Sequence, residues 1–188
     1  MKKSINNTSY LLFHLVLICG LYACVSTKNA TTYDFPKPVD TTDKAIINQE
    51  KKTYGFEDIG VFVSNEFDGA RLNGCRVVNN STIEATISPE NTPINESAYY
   101  AMQIWSKEAK ELTVILNYTE HQHRYVPKIS KNRSDWMELD STQFEILDEG
   151  KQCSIRLRVS SEKTYLSGQE LVVSSDVKAW CEEQAKVS

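Results

Sequence analysis

His121 and His123, separated by one glutamine, form the best metal-ligand spacing in this 188-residue chain. Side chains two apart on a strand point to the same face, a geometry that can hold zinc or copper. A catalytic zinc takes three protein ligands, and only Glu120 stands beside the pair. His-x-x-Glu and His-Glu-x-x-His are both absent, so the competing reading is a solvated pair at a hairpin tip. The sequence also lacks a Gly-x-Ser-x-Gly elbow, a phosphate-binding loop, a dinucleotide glycine fingerprint and Cys-x-x-Cys. Asp135/Glu138 and Asp148/Glu149 sit where turns and strand ends are expected, which suits solvated carboxylates better than an acid/base pair. Among the aromatic residues, Tyr99, Tyr100 and Trp136 are candidates for a sugar-stacking surface, with a place in the core as the alternative.

The N-terminus carries a different chemistry. Lys2 and Lys3 precede an apolar run, 10–23, that is shorter than the roughly 20 residues needed to cross a bilayer. This arrangement reads as a signal peptide over 1–23. It ends in Leu21-Tyr22-Ala23-Cys24, which resembles the bacterial lipobox, whose cysteine thiol receives a diacylglyceryl group and becomes the first residue after cleavage. Cys24 is thus the expected lipid anchor. Removing 1–23 takes away two lysines and no acid, leaving 19 basic and 25 acidic residues, a net charge of −6 on 165 residues. That balance repels polyanions, so no nucleic-acid partner is expected and attachment to a membrane should come from lipid.

Residues 24–53 are rich in Thr, Lys, Asp and Pro without sustained period and read as a flexible tether. They lack a dense acidic run directly after Cys24, which favours the bacterial cell envelope and an outer-membrane anchor facing the periplasm. Cys19 leaves with the signal peptide, so Cys75, Cys153 and Cys181 remain, enough for one disulfide at most. Small buried hydrophobes without chemistry is the preferred reading of these three.

Any functional side chain must be positioned by strands. From Tyr54 onward, short runs rich in β-branched and aromatic residues recur about every ten residues between turn signals such as Asp68-Gly69, Lys131-Asn132-Arg133 and Glu149-Gly150. The pattern predicts an all-β fold over 54–188, an antiparallel β-sandwich of about eight to ten strands with a C-terminal α-helix. Alternation is clearest in 154–159, which should bury Ile155, Leu157 and Val159 and expose Arg156 and Arg158. After a capping Ser174-Ser175-Asp176, residues Val177, Trp180, Cys181 and Gln184 follow at helical spacing. That helix reads as a connector, with Val177 and Trp180 as a candidate domain-docking surface.

Several pieces in order carry a resemblance: 67–72 (FDGARL), 88–91 (SPEN), 99–105 (YYAMQIW), 123–130 (HRYVPKIS) running to Trp136, 165–167 (YLS) and 176–180 (DVKAW). Together they resemble the N-terminal β-sandwich domain of the cytosolic carboxypeptidase family and its bacterial relatives, over roughly 56–185. In that family the sandwich leads into a zinc carboxypeptidase domain, where a His-x-x-Glu pair and a later His hold the metal. None of those residues maps onto this sequence. The resemblance therefore implies a non-catalytic accessory domain that supports or orients a peptidase domain in cis or in trans, with no cofactor of its own and zinc expected only in a catalytic domain missing here. A free-standing glycan- or peptide-binding lipoprotein is the alternative.

Overall fold

The computed structural model describes residues 48–89 and 97–186, so the signal peptide and Cys24 lie outside the described residues. Among the described residues eleven strands form two sheets: β1 (Thr53–Phe56), β2 (Val61–Ser64), β3 (Gly74–Asn79), β4 (Thr82–Ile87), β5 (Ala101–Ser106), β6 (Lys110–Tyr118), β7 (Lys128–Ser130), β8 (Met137–Glu138), β9 (Phe144–Leu147), β10 (Gln152–Val159) and β11 (Thr164–Ser167). One sheet has the order β1-β2-β5-β11-β7-β8 and the other β3-β4-β6-β10-β9. A helix, α1 (Ser174–Ala185), follows. The all-β sandwich with a C-terminal helix expected from the strand spacing is the fold observed.

The inward faces follow the alternation of the sequence. Across one sheet Ile83, Val114 and Ile155 lie in a row, as do Ala85, Leu116 and Cys153. Across the other, Met102 pairs with Leu166 and Val63 with Ile104. All ten are buried in one continuous core. Each fully buried aliphatic side chain of this size contributes about 1.5–3 kcal/mol relative to exposure. On β10, Ile155, Leu157 and Val159 are buried and Arg156 and Arg158 exposed, as the alternation requires.

Three details depart from the sequence reading. The pair β4–β6 is parallel, not antiparallel. The chain leaves β4, crosses to the opposite sheet as β5, and returns as β6, so two reversals restore the original direction. The run 124–130 yields only three residues of strand, Lys128–Ser130. Pro127 has no N–H for a ladder, and its carbonyl instead accepts from the Leu139 N–H at 2.8 Å. Finally, residues 49–53, assigned to the tether, belong to the folded body. The buried Asn65 amide donates to the Glu50 and Leu72 carbonyls (2.8 and 2.9 Å), its oxygen accepts from the Lys52 N–H (2.7 Å), Gln49 takes the Leu72 N–H (2.9 Å), and Thr53 opens β1. Their polar composition concealed a role as partners for Asn65 and for the 70–72 backbone.

Candidate functional site

The structure first separates the residues that composition had grouped. His123 is buried and His121 is half-buried; neither lies on a strand, so they do not share a strand face. The His123 Nδ1 is 2.8 Å from the Tyr118 hydroxyl. Burial lowers the imidazole pKa below its ordinary value, partly offset by the Tyr125 backbone. Among the described residues no group of three or more His, Cys, Asp or Glu side chains is placed to hold a metal ion. Asp135 accepts from Asn132 at 2.8 Å, and Glu138 pairs with Lys128 at 2.7 Å, so each carboxylate has its own partner. Asp148 and Glu149 are both exposed, in a turn with positive φ (48° and 51°).

The candidate aromatic surface does not form. Tyr100 has no exposed surface and belongs to the core. It precedes β5 on the face that continues through Met102 and Ile104, which puts its ring between the sheets. Trp136 is half-buried, with its indole N–H on the Arg133 carbonyl at 2.9 Å. The sequence did not single out Phe62 and Trp105 as a pair, yet β2 and β5 bring them opposite each other. Their rings stack with centroids 5.5 Å apart and planes 14° apart, and Lys163 Nζ sits 4.6 Å from the Trp105 centroid. Each ring thus has protein against one face, and the pair covers part of its own stacking surface.

Tyr99 is the member of that trio that does line a cleft. At one end of the sandwich, the turn at 68–71, the approach to β5 and the chain after β11 enclose about 690 Å³, with Arg71, Tyr99, Tyr125, Glu170 and Val172 among the walls. The turn is built on Gly69, whose φ of 79° suits glycine and where a Cβ would come 3.0 Å from Val173. Arg71 pairs in a bridge with Ala101, and its buried guanidinium donates to the Ser88 carbonyl from Nε (2.7 Å) and Nη2. Tyr99 donates to the Gly69 carbonyl at 2.7 Å. Burial pushes its phenol up to about 12, so it keeps its proton at neutral pH and acts as a donor.

Tyr125 is held against Gly168. A Cβ at that glycine would lie 2.8 Å from Tyr125 Cδ2, 3.0 Å from its Cγ and 3.2 Å from Tyr100 Cε1. Gly168→Ala is therefore expected to push Tyr125 off the cleft wall and cost about 1–3 kcal/mol. Urea unfolding measures the loss, and a stability unchanged within error would mean that Tyr125 does not rest there.

Beyond Gly168 the chain runs extended, with Leu171 and Val173 buried and Val172 74 % exposed, and enters α1 beside the cleft. The expected capping role of Asp176 is met from inside the helix: its carboxylate accepts the Val173 N–H at 3.0 Å, while Ser174 Oγ bonds Asp68 at 3.0 Å. None of the α1 residues is buried. Val177 is 50 % and Trp180 61 % exposed. Cys75, Cys153 and Cys181 are free thiols; Cys153 is buried and Cys75 half-buried, but Cys181 is exposed, against the expectation of a buried hydrophobe, because the helix face that carries it is not covered. No helix among the described residues is long and apolar enough to cross a membrane.

No protein-family model matches the sequence, and no curated protein matches it. Solved structures do. A metallo-carboxypeptidase from Burkholderia cenocepacia aligns with a TM-score of 0.53 at 12 % identity, over 65 % of this chain and 32 % of that one. The fold is that of one part of bacterial metallo-carboxypeptidases. A putative carboxypeptidase A from Shewanella denitrificans (TM-score 0.51, 17 % identity, 62 % and 31 % covered) has the same likeness. So does a putative carboxypeptidase from Burkholderia mallei (0.51, 9 %, 72 % and 33 %). This chain thus spans about a third of the length of the carboxypeptidase structures it matches. At these identities the likeness is one of fold.

Proposed function

We propose that this chain is a lipid-anchored, non-catalytic accessory β-sandwich that supports or orients a zinc peptidase domain, in cis or in trans. The observation that carries the reading is α1: twelve residues, none buried, with Val177 and Trp180 exposed, following a sandwich whose fold recurs as about a third of metallo-carboxypeptidase chains. A three-turn helix without a packed face is marginal in water, and a neighbouring domain laid over it supplies that packing. The peptidase zinc and its ligands belong to that domain in this reading, and the chain alone is not expected to hydrolyse peptides. Lipid on Cys24 holds the protein to the bacterial cell envelope, on the outer membrane facing the periplasm, each buried methylene adding about 0.8 kcal/mol. The alternative of glycan capture on Tyr99, Tyr100 and Trp136 loses support from the buried Tyr100 and the half-buried Trp136.

The test is the intact mass of the native protein after detergent extraction of its own membranes, together with what co-purifies. A lipidated species of 165 residues accompanied by a zinc peptidase, or a species several hundred residues longer, is the expected outcome in trans or in cis. A lipidated 165-residue species with no peptidase attached rejects the accessory role, and a mass without lipid rejects the anchor.

A further inference from the structure

We propose that the segment 119–127, between β6 and β7, is an acid-released latch that holds one wall of the cleft in place at neutral pH. Its anchor is His123, 7 % exposed, with its ring 5.7 Å from Tyr118, 6.1 Å from Tyr100 and 6.5 Å from Phe144, measured between centroids. The segment is pinned at its two ends, where Thr119 donates to the Ile87 carbonyl (3.1 Å) and Ser88 Oγ (3.0 Å) and the Pro127 carbonyl takes the Leu139 N–H (2.8 Å); between them, besides the ring, the His123 N–H donates to the Gly150 carbonyl (2.7 Å) and Lys151 Nζ reaches the Glu120 carbonyl (2.7 Å). Two residues on, Tyr125 lies edge-on to Tyr100 at 6.4 Å and lines the cleft. Releasing His123 therefore moves a cleft wall.

The chemistry around the ring accepts a neutral imidazole and not a cation. Tyr118 faces it from β6, Tyr100 from the approach to β5, Phe144 from β9, and Tyr125 from its own segment. Cys153 on β10 lies in the same core. Burial pushes the Cys153 thiol up to about 12 and raises the phenols of Tyr100 and Tyr118 well above their ordinary range, so none of these groups supplies a negative charge at or below neutral pH. Arg124, the adjacent cation, is exposed over Tyr125. No carboxylate is bonded to the ring, and Nε2 is buried without a hydrogen-bond partner among the described residues.

Protonation would place an unpaired charge in the core, so the closed state binds the proton more weakly than the open one. The sign follows from linkage. Closed, the imidazole titrates below its ordinary 6.5; open, it titrates near 6.5. Above that pH both states are neutral and closure is fully favourable. As pH falls below 6.5 the open state alone takes up the proton and closure weakens, by up to tenfold per pH unit until the closed-state pKa is reached.

Hydrogen–deuterium exchange of the full chain at pH 7.5 and 5.0, corrected for intrinsic rates, reads this directly. Amides of 119–127 are expected to open more than fivefold further at pH 5.0, with a ceiling of about thirtyfold, while β6 and β10 stay protected. His123→Gln, which can still bond Tyr118 but cannot charge, is expected to abolish the change, and His121→Gln to leave it intact. No increase over 119–127, an equal increase in β6 and β10, or an increase that survives His123→Gln overturns the latch. If His123→Gln does not fold, NMR titration of His123 in the native chain decides: a midpoint below 6.5, at the pH where the rise in exchange levels off, supports it, and one at or above 6.5 overturns it.

Discussion

Replacing Tyr100 by alanine is expected to lower the free energy of unfolding by about 3–5 kcal/mol, whereas Tyr100→Phe should be neutral or stabilise by about 1 kcal/mol. The ring has no exposed surface and packs against His123 and Tyr125. Removing it opens a cavity where the two sheets, the latch segment and the approach to β5 converge. Its backbone bonds survive the change, because the Tyr100 carbonyl accepts from the Gly168 N–H and from Ser167 Oγ, both at 3.1 Å. The loss therefore reports packing. The hydroxyl is a different matter: it is buried with no hydrogen-bond partner among the described residues. An unsatisfied buried hydroxyl destabilises the fold, so deleting it costs little. Urea unfolding of both variants separates ring from hydroxyl. A loss above about 1 kcal/mol in Tyr100→Phe would mean that the hydroxyl is satisfied.

Tyr100 also marks where sequence and structure part. The sandwich was legible because its strands bury one face, and that leaves a period of two: Ile155, Leu157 and Val159 inward, Arg156 and Arg158 outward. Tyr99 and Tyr100 are adjacent and of one type, so alternation alone sends one inward and one outward without saying which. The choice is made by register, since Met102 faces Leu166 across β5–β11 and Tyr100 lies two residues before it on the same face. Long-range pairing of this kind is invisible in a local pattern. The His121/His123 spacing misled for a related reason, because Pro127 and the turn at 119–127 take that stretch off the ladder. Gln49, Glu50 and Lys52 resemble a tether in composition because their role is to satisfy Asn65, sixteen or fewer residues away in sequence but placed only by the tertiary fold. The cleft had almost no sequence signal: its walls come from six separate stretches, and only Gly69 and Gly168, as glycines at close approaches, could have hinted at it.

The second large effect concerns α1. In the free chain its amides are expected to exchange orders of magnitude faster than those of β6 and β10, because twelve residues with no buried side chain lie below the length at which an isolated helix holds itself. The Asp176 cap and the Ser174–Asp68 bond fix where it starts but not its last two turns. A peptidase domain covering Val177 and Trp180 would change this balance by burying the indole, the kind of anchor that dominates interfaces. Trp180→Ala is then expected to weaken association with that domain by at least about 2 kcal/mol, roughly thirtyfold in Kd, while leaving the urea midpoint of the free sandwich unmoved, since Trp180 is 61 % exposed and adds nothing to the core. Titration calorimetry of the domain against both chains gives the first number, and the unfolding curve gives the second. A Kd unchanged by Trp180→Ala would remove α1 from the interface and leave the cleft as the surface to be covered; a lowered urea midpoint would mean that the helix packs on the sandwich itself and needs no external cover.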